Sequence, residues 1–438
     1  MFELPFEIDH VLNKLNESGY EAYLVGGAVR DMIMGKPAHD YDVATSATPD
    51  ETKAVFDGYR VVETGIRHGT VTVIVGEYPV EITSFRREST YSDGRHPDIV
   101  TFSRRLEDDL GRRDLTVNAV AYSPKTGCVD PFGGIADIEK RIIRCVGDPN
   151  ERFAEDHLRL LRAMRFSSVL DFVIDEDTRA AIHENRAYIT TVSNERVFSE
   201  LCRLVCGVNA KSILHEYSDV IFLLIPELAV QKGCEREYGD NGRDLYEHTV
   251  NCLSYTEPLL HLRLAALLHD TVKPSGADET DVCRIRDTIA GNVLRRLRCS
   301  AALTSSVCRL IRYNDVPVDH NDMVGLKRLA SKVGIKTMKD VMKLKRADVL
   351  AEDPRHYYRL NDLNAAYDAL CEIEENGVAL NVRDLAIGGD DIKALGVRPG
   401  PVIGRLLHAA LDGVISGEVN NEKSPLLAYV SEKLSENA

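Results

Sequence analysis

The residues whose types and spacing could do chemistry gather first in Leu24-Val-Gly26-Gly27-Ala-Val-Arg30 and, ten residues on, in Asp40-Tyr-Asp42. An apolar run from Ala22 to Val25 ends in the glycine pair, and a helix-competent stretch, Ala28 to Met34, follows before Gly35-Lys-Pro closes it. The glycines therefore stand where a strand turns into a helix. A backbone without Cβ packs close to a phosphate there, free N–H groups and the helix dipole face it, and Arg30 brings a guanidinium within reach. A second strand is expected to open at His39, which puts Asp40 and Asp42 on one face of it. Two convergent carboxylates beside a phosphate cradle suit Mg²⁺, which takes hard oxygen ligands together with substrate phosphates. The order is not a Walker loop, since no Gly-Lys-Ser/Thr follows the glycines, nor is it Gly-x-Gly-x-x-Gly.

A second group is Asp109-Leu-Gly-Arg112-Arg113-Asp114-Leu-Thr-Val-Asn118, followed by Asp130-Pro-Phe-Gly-Gly134. Two cations beside an acceptor can hold phosphate oxygens and a ribose hydroxyl together. A third is Arg152-Phe-Ala-Glu155-Asp156-His-Leu-Arg159-Leu-Leu-Arg162-Ala-Met-Arg165-Phe166. Its apolar positions fit a helix, and spacings of three and four put Glu155, Asp156, Arg159 and Arg162 on connected faces. A side-by-side Asp and Arg can read a base edge. The aspartate accepts from an exocyclic amino group and the arginine donates to the adjacent ring nitrogen, a pattern met by cytosine and adenine and violated by uracil and guanine. Selection of CTP and ATP without a nucleic-acid template follows.

Gly-Gly-x-x-Arg followed by Asp-x-Asp resembles the signature of the nucleotidyltransferase superfamily, in the form found in class II CCA tRNA nucleotidyltransferases and bacterial poly(A) polymerases. The Arg112-Arg113-Asp114 string resembles motif B of that family, which implies that Arg113 contacts the nucleotide and Asp114 selects a ribose. Glu155-Asp156-x-x-Arg159 resembles the base-reading motif, with Arg162 and Arg165 facing the triphosphate, and Asn194 to Leu201 resembles the next helical motif, which packs. The resemblance runs collinearly from about residue 20 to 205. It implies an enzyme that adds C, C and A to the tRNA 3′ end from CTP and ATP, with two Mg²⁺ ions at Asp40 and Asp42. Gly26, Gly27, Arg30, Arg113, Arg162 and Arg165 would hold the triphosphate, Asp114 the ribose, and Asp156 with Arg159 the base. Arg112, Asn118, Glu155 and Glu81 support the site, Glu81 as a third carboxylate or a neighbour of the metal ligands. The polar, glycine- and proline-punctuated stretch Arg86 to Pro97 reads as a mobile loop and resembles the flexible loop of enzymes that complete CCA. A poly(A) polymerase or a partial CC- or A-adding enzyme stays open as an alternative.

The elements that must position these groups are legible around them. Residues 6 to 18 read as a helix stopped by Gly19, and Thr48-Pro-Asp-Glu caps a short helix from Pro49 to Phe56. Strands are expected at Arg60 to Glu63, Thr70 to Val75 and Val80 to Phe85. These make an α+β head with a mixed sheet and helices on one side of it. From about Pro149 helical periodicity dominates, giving an elongated all-α body with breaks near Gly207, Gly233 to Gly242, Lys273 to Asp281 and Asn376 to Asn381. Four segments follow: a catalytic head (1–145), a neck of base-reading and tRNA-binding helices (146–210), a helical body (211–375) and a tRNA-facing tail (376–438). Within the body, Asp244-Leu-Tyr-Glu-His248 and His269-Asp270 resemble an HD-type metal phosphohydrolase, an alternative function of another class. The pattern is degenerate, because Arg284 to Leu294 holds no histidine and Asn314 stands where a ligand is expected.

The 54 basic and 69 acidic residues give a net charge of −15, which argues against nucleic-acid binding by bulk electrostatics but leaves room for a local basic path. Arg104-Arg105, Arg112-Arg113, the arginines of 159 to 165 and Lys336 to Arg346 could supply one for the acceptor stem and elbow of tRNA, read by shape. Ten cysteines without a Cys-x-x-Cys pair, no basic leader and no run of 18 apolar residues point to a cytoplasmic protein that does not enter the membrane.

Overall fold

A computed structural model of the chain describes residues 2–38, 40–66, 69–89, 91, 94, 98–234, 244–271 and 279–436. The chain divides into two compact units, Met1–Pro226 and Glu227–Ala438. The first holds α1 (Phe6–Glu17), β1 (Ala22–Val25), α2 (Gly27–Ile33), β2 (Asp42–Thr45), α3 (Pro49–Val55), β3 (Arg60–Val62), β4 (Thr70–Val75), β5 (Tyr78–Ser84), β6 (Arg86–Ser89), β7 (Ile99–Phe102), α4 (Leu106–Gly111), β8 (Ala121–Ser123), β9 (Gly127–Val129), α5 (Gly134–Lys140) and β10 (Ile142–Ile143). It continues with α6 (Pro149–Glu155), α7 (Leu158–Leu170), β11 (Val173–Ile174), α8 (Glu176–Glu184), α9 (Asn194–Val205), α10 (Ala210–Glu216) and α11 (Ser218–Leu224).

Seven strands form one mixed sheet in the order β3-β4-β5-β2-β1-β8-β9. β2 runs parallel to β5, with Asp42 opposite Glu81, and antiparallel to β1, with Asp42 opposite Val25. The period of two divides the central strands between two cores. Leu24 and Val43 pack with Ile8, Leu12 and Leu15 of α1 and with Phe56 just after α3, while Val25 and Ala44 pack with Leu106 and Leu110 of α4 and with Phe85. Helices thus cover both faces, not one as expected, because β1 and β2 carry apolar side chains on both sides, as strands buried on two faces do. Thr48 caps α3: its hydroxyl accepts from Glu51 N at 3.4 Å, and the Glu51 carboxylate accepts from Thr48 N at 2.7 Å.

Two expectations are corrected here. Arg86 to Ser89, read as the start of a mobile loop, is a strand paired antiparallel with β7, Arg86 opposite Phe102 and Ser89 opposite Ile99. Arg86, Arg87 and Glu88 find ion-pair partners on and beside this ribbon, which holds a polar stretch in extended form. Most of the rest of that loop lies outside the described residues. The base-reading stretch is also not one helix. It breaks between α6 and α7 at Asp156, which is extended (φ −136°, ψ 105°), and there His157 N donates to Gly94 O at 3.2 Å while Asp156 Oδ1 accepts from Leu158 N.

The second unit is helical throughout its described residues: α12 (Pro226–Ala229, beginning at the boundary), α13 (Leu245–Tyr255), α14 (Leu260–Leu268), α15 (Glu279–Arg296), α16 (Ala301–Asn314), α17 (Met323–Val333), α18 (Ile335–Ala351), α19 (Arg359–Glu375), α20 (Gly389–Ala394), α21 (Pro401–Ser416) and α22 (Lys423–Glu436). The breaks expected at Gly233 to Gly242 and Lys273 to Asp281 fall largely outside the described residues. No described helix is long and apolar enough to cross a membrane.

Candidate active site

The site is built where β1 hands over to α2. Gly26 adopts φ 77° and ψ −140°, a conformation open essentially to glycine. A Cβ there would stand 3.4 Å from Arg113 Nη1 and 3.8 Å from Asp42 Oδ2, so the bare backbone faces a guanidinium and a carboxylate at once. Asp42 opens β2. Asp40 precedes the strand, contrary to expectation, because the partner strand β1 ends at Val25 opposite Asp42 and turns away into α2. Asp40 is nevertheless close enough to matter. Burial pushes the Asp42 carboxyl up to about 6, the charges of Asp40 and Glu81 push the same way, and Arg113 opposes them. Among the described residues, the side chains of Asp40, Asp42 and Glu81 have no hydrogen bond or ion pair. A carboxylate whose ionisation is opposed by burial and by two neighbouring acids, none of the three with a side-chain partner among the described residues, fits a divalent cation.

Behind this edge runs a connected polar chain. Arg30, buried, donates through Nη1 to Asn118 Oδ1 at 2.8 Å and through Nε to Asp31 at 2.9 Å. Asn118 donates to Asp114 Oδ1 at 3.3 Å, and Arg162 donates through Nε to Asp114 Oδ2 at 2.7 Å. Burial would raise the Asp114 carboxyl, but Arg162 outweighs it and the net effect lowers it to about 2. Arg162 Nη1 also lies 3.7 Å from Glu200, which accepts from Arg165 Nε at 2.8 Å. The Phe166 ring sits among three guanidiniums, with Arg165 at 3.5 Å, Arg30 at 5.3 Å and Arg162 at 5.5 Å from its centroid.

Arg112 and Arg113 share the fully buried Asp109, Arg112 at 2.7 Å and Arg113 at 3.1 Å. The Nε of Arg113 is buried without a hydrogen-bond partner, an orphaned donor beside Gly26 that suits an anionic oxygen. Arg112 reaches Glu88 at 3.3 Å, and Glu88 also accepts from Arg86 at 2.7 Å and from the Tyr91 hydroxyl at 2.5 Å. Arg159 pairs with Glu155 and donates to Arg112 O at 2.9 Å. Asp156 is held by Arg196 Nη2 at 2.8 and 3.1 Å, not by Arg159.

The structure therefore brings Gly26, Asp42, Arg113 and the Arg30–Asn118–Asp114–Arg162 chain together, with Asp156 and Arg159 at the break between α6 and α7. Sequence reasoning passed over Asp109, Glu88, Arg196 and Glu200. Asp109 carried a signal, since it stands three and four residues before Arg112 and Arg113. Arg196 and Glu200 lay within a string taken as packing, and their charges were the clue.

In the second unit, His248, His269 and Asp270 do converge, joined by Asp348 of α18, which sequence reasoning missed. His248 Nε2 is 2.8 Å from Asp348 Oδ1 and 3.9 Å from Asp270 Oδ2. Arg286 reaches Asp270 at 3.0 Å, and Asn314 donates to Asp348 Oδ2 at 3.4 Å.

A glycine turn between strand and helix, facing the carboxylate that opens the next strand and backed by arginines, is the geometry of a nucleotidyltransferase head. The family profile "Poly A polymerase head domain" matches residues 22–144, "Probable RNA and SrmB- binding site of polymerase A" matches 171–229, and a tRNA nucleotidyltransferase second-domain profile matches 280–430. The CCA-adding enzyme of Ligilactobacillus salivarius is 34% identical over 429 residues, 97% of this chain and 96% of that one. That of Lacticaseibacillus paracasei is 33% identical over 96% and 95%. The Bacillus stearothermophilus CCA-adding enzyme solved with CTP superposes with a TM-score of 0.74 at 28% identity, covering 100% and 99% of the two chains. The Thermotoga maritima CCA-adding enzyme solved with tRNA_CCA shares the fold at a TM-score of 0.63 and 18% identity, covering 98% and 94%. The chain belongs to the CCA-adding enzyme family and is a nucleotidyltransferase.

Proposed function

We propose that this chain extends the 3′ end of tRNA by C, C and A from CTP and ATP, releasing pyrophosphate at each addition, in the cytoplasm. The observation that carries the reading is the facing of Asp42 and Arg113 across the bare backbone of Gly26, 3.8 and 3.4 Å from where a Cβ would stand. This arrangement brings a metal-binding carboxylate and a phosphate-binding cation to one small space. Asp40 and Asp42, with Glu81 beside them, would hold two Mg²⁺ ions, which when bound lower the pKa of the primer 3′-hydroxyl and neutralise triphosphate charge. Gly26 and Gly27 admit the phosphates to the backbone at the start of α2, and Arg113 offers its unpartnered Nε to them. Arg30, Arg162 and Arg165 supply positive charge behind it. Asp114, kept ionised by Arg162, accepts from a ribose hydroxyl. Asp156 accepts from the exocyclic amino group of cytosine or adenine while Arg159 donates to the neighbouring ring nitrogen. Arg196 orients Asp156 for this, and Arg112 ties Arg159 to the β6–β7 ribbon. The primer oxygen attacks the α-phosphorus in line as the bond to the β-phosphate breaks. Residues 1–145 would be the head, 146–210 the neck, and 211–375 and 376–438 the body and tail that hold tRNA by shape and backbone.

Primer extension on a tRNA transcript ending before CCA tests this. CTP alone should give two additions, CTP with ATP should give CCA and stop, and UTP or GTP should give none. A long A tract would instead make the chain a poly(A) polymerase, and arrest after CC a partial enzyme.

A further inference from the structure

Helix α9 packs along α7 and sends two charged side chains, Arg196 and Glu200, to two different parts of the site. They stand four residues apart, so they share one face of the helix, a turn or about 6 Å from each other. Three links show that α7 and α9 run side by side in the same direction. Arg196 meets Asp156, Glu200 meets Arg165, and Ser168 Oγ donates to Leu204 O at 2.7 Å. Val197, Leu201, Leu204 and Val205 are buried beneath these contacts and fix α9 in place. A side chain carried on a packed helix is held more closely than one on a bend of the chain.

Asp156 is on such a bend. Its backbone is extended between α6 and α7, so neither helix sets the direction of its carboxylate. Within its own segment Oδ1 accepts from Leu158 N at 3.2 Å, and across to α9 Arg196 Nη2 donates to Oδ2 at 2.8 Å and to Oδ1 at 3.1 Å. Each carboxylate oxygen has two lone pairs, so Oδ2 keeps one for a further donor. Both bonds leave from a single nitrogen, a geometry that an ammonium can reproduce. One turn on, the buried Glu200 accepts from Arg165 Nε at 2.8 Å and lies 3.7 Å from Arg162 Nη1, while Arg162 gives Nε and Nη2 to Asp114, each at 2.7 Å. A carboxylate buried between two guanidiniums fixes where both stand.

We propose that α9 carries two positioning residues with separate tasks: Arg196 aims the Asp156 carboxylate and so sets the preference for bases that bear an amino group, and Glu200 sets Arg162 and Arg165 and so the affinity for the triphosphate whatever the base. The inference rests on the reading that Asp156 meets the base and the two arginines the triphosphate. The test is steady-state kinetics of the full chain, with CTP and UTP on a tRNA transcript ending before CCA and with ATP on one ending in CC. Arg196→Ala should lower the CTP-over-UTP ratio of kcat/KM about 10-fold, because cytosine loses a held acceptor and uracil has none to lose, and Arg196→Lys should restore most of it. Glu200→Gln should raise KM for CTP and ATP together, about 10-fold, with the ratio unchanged. Loss of folded protein lowers the rates with CTP and UTP alike, so the ratio stays readable in a partly unfolded variant. An unchanged ratio in Arg196→Ala, an unchanged KM in Glu200→Gln, or a ratio moved equally by both overturns the proposal. Asp156→Asn shows which level has failed. If it lowers the ratio and Arg196→Ala does not, the division of tasks on α9 falls alone; if it too leaves the ratio as it is, the base-reading role of Asp156 falls with it.

Discussion

At the scale of single residues, the site runs on two carboxylates pushed in opposite directions. Asp42 is held up at about 6 by burial and by Asp40, against a value near 3.9 in the unfolded chain. The folded metal-free protein therefore binds this proton more tightly than the unfolded chain does, and stability falls as pH rises from about 4 to about 6. Asp42→Asn removes that cost. It should raise the stability of the metal-free protein at neutral pH by about 2 kcal/mol while abolishing nucleotide transfer, seen by melting in chelator and by primer extension. For the same reason the Mg²⁺ concentration needed for half-maximal transfer should climb as pH drops through about 6. Asp114 carries the opposite sign. Burial works against its charge, but Arg162 brings it down to about 2, so its contribution is complete above about 4 and is lost as pH falls from there towards about 2. Asp114→Ala leaves Arg162 facing Glu200 alone, and about 3 kcal/mol of head stability should go with it, read by denaturant unfolding.

At the scale of elements, the glycine turn and the helix break do the positioning. A side chain at Gly26 has to adopt φ 77° and ψ −140° and also meets Arg113 at 3.4 Å. Gly26→Ala should therefore cost about 1–3 kcal/mol and lower transfer more than it lowers tRNA binding, which steady-state kinetics beside a binding isotherm would show. Much of this level was legible. The strand–glycine–helix order, the capped α3 and the β4 and β5 strands all follow from local pattern, because each is fixed by neighbours a few residues apart. Asp40 was misplaced because a strand's end is set by its partner, and β1 stops opposite Asp42. The break at Asp156 was invisible for a similar reason: the apolar spacing of Phe153, Leu158 and Leu161 fits a continuous helix, and the competing contacts come from Gly94 and Arg196, far off in the chain. Glu200 and Asp348 escaped because their partners Arg165 and His248 lie 35 and 100 residues away in sequence, and Glu88 because its link to the site runs through Arg112, 24 residues on.

At the scale of the whole molecule, a chain of net charge −15 is proposed to bind a polyanion. Its contacts with tRNA must then be few and local, and the logarithm of the tRNA association constant should fall with the logarithm of salt at a slope set by a handful of phosphates, while affinity for duplex DNA stays far weaker at every salt concentration. Nitrocellulose filter binding across a salt series checks both. The larger claim is that protein side chains alone choose cytosine and adenine. A carboxylate at position 156 only accepts hydrogen bonds, so it favours an exocyclic amino group and rejects the uracil carbonyl, whereas an amide in its place can also donate. The measurement that tests this most directly is the ratio of kcat/KM for CTP over UTP in the wild type and in Asp156→Asn. The ratio should collapse by about 100-fold or more in the variant, mainly through a gain in UTP use. A folded, active Asp156→Asn that keeps the wild-type ratio would contradict it.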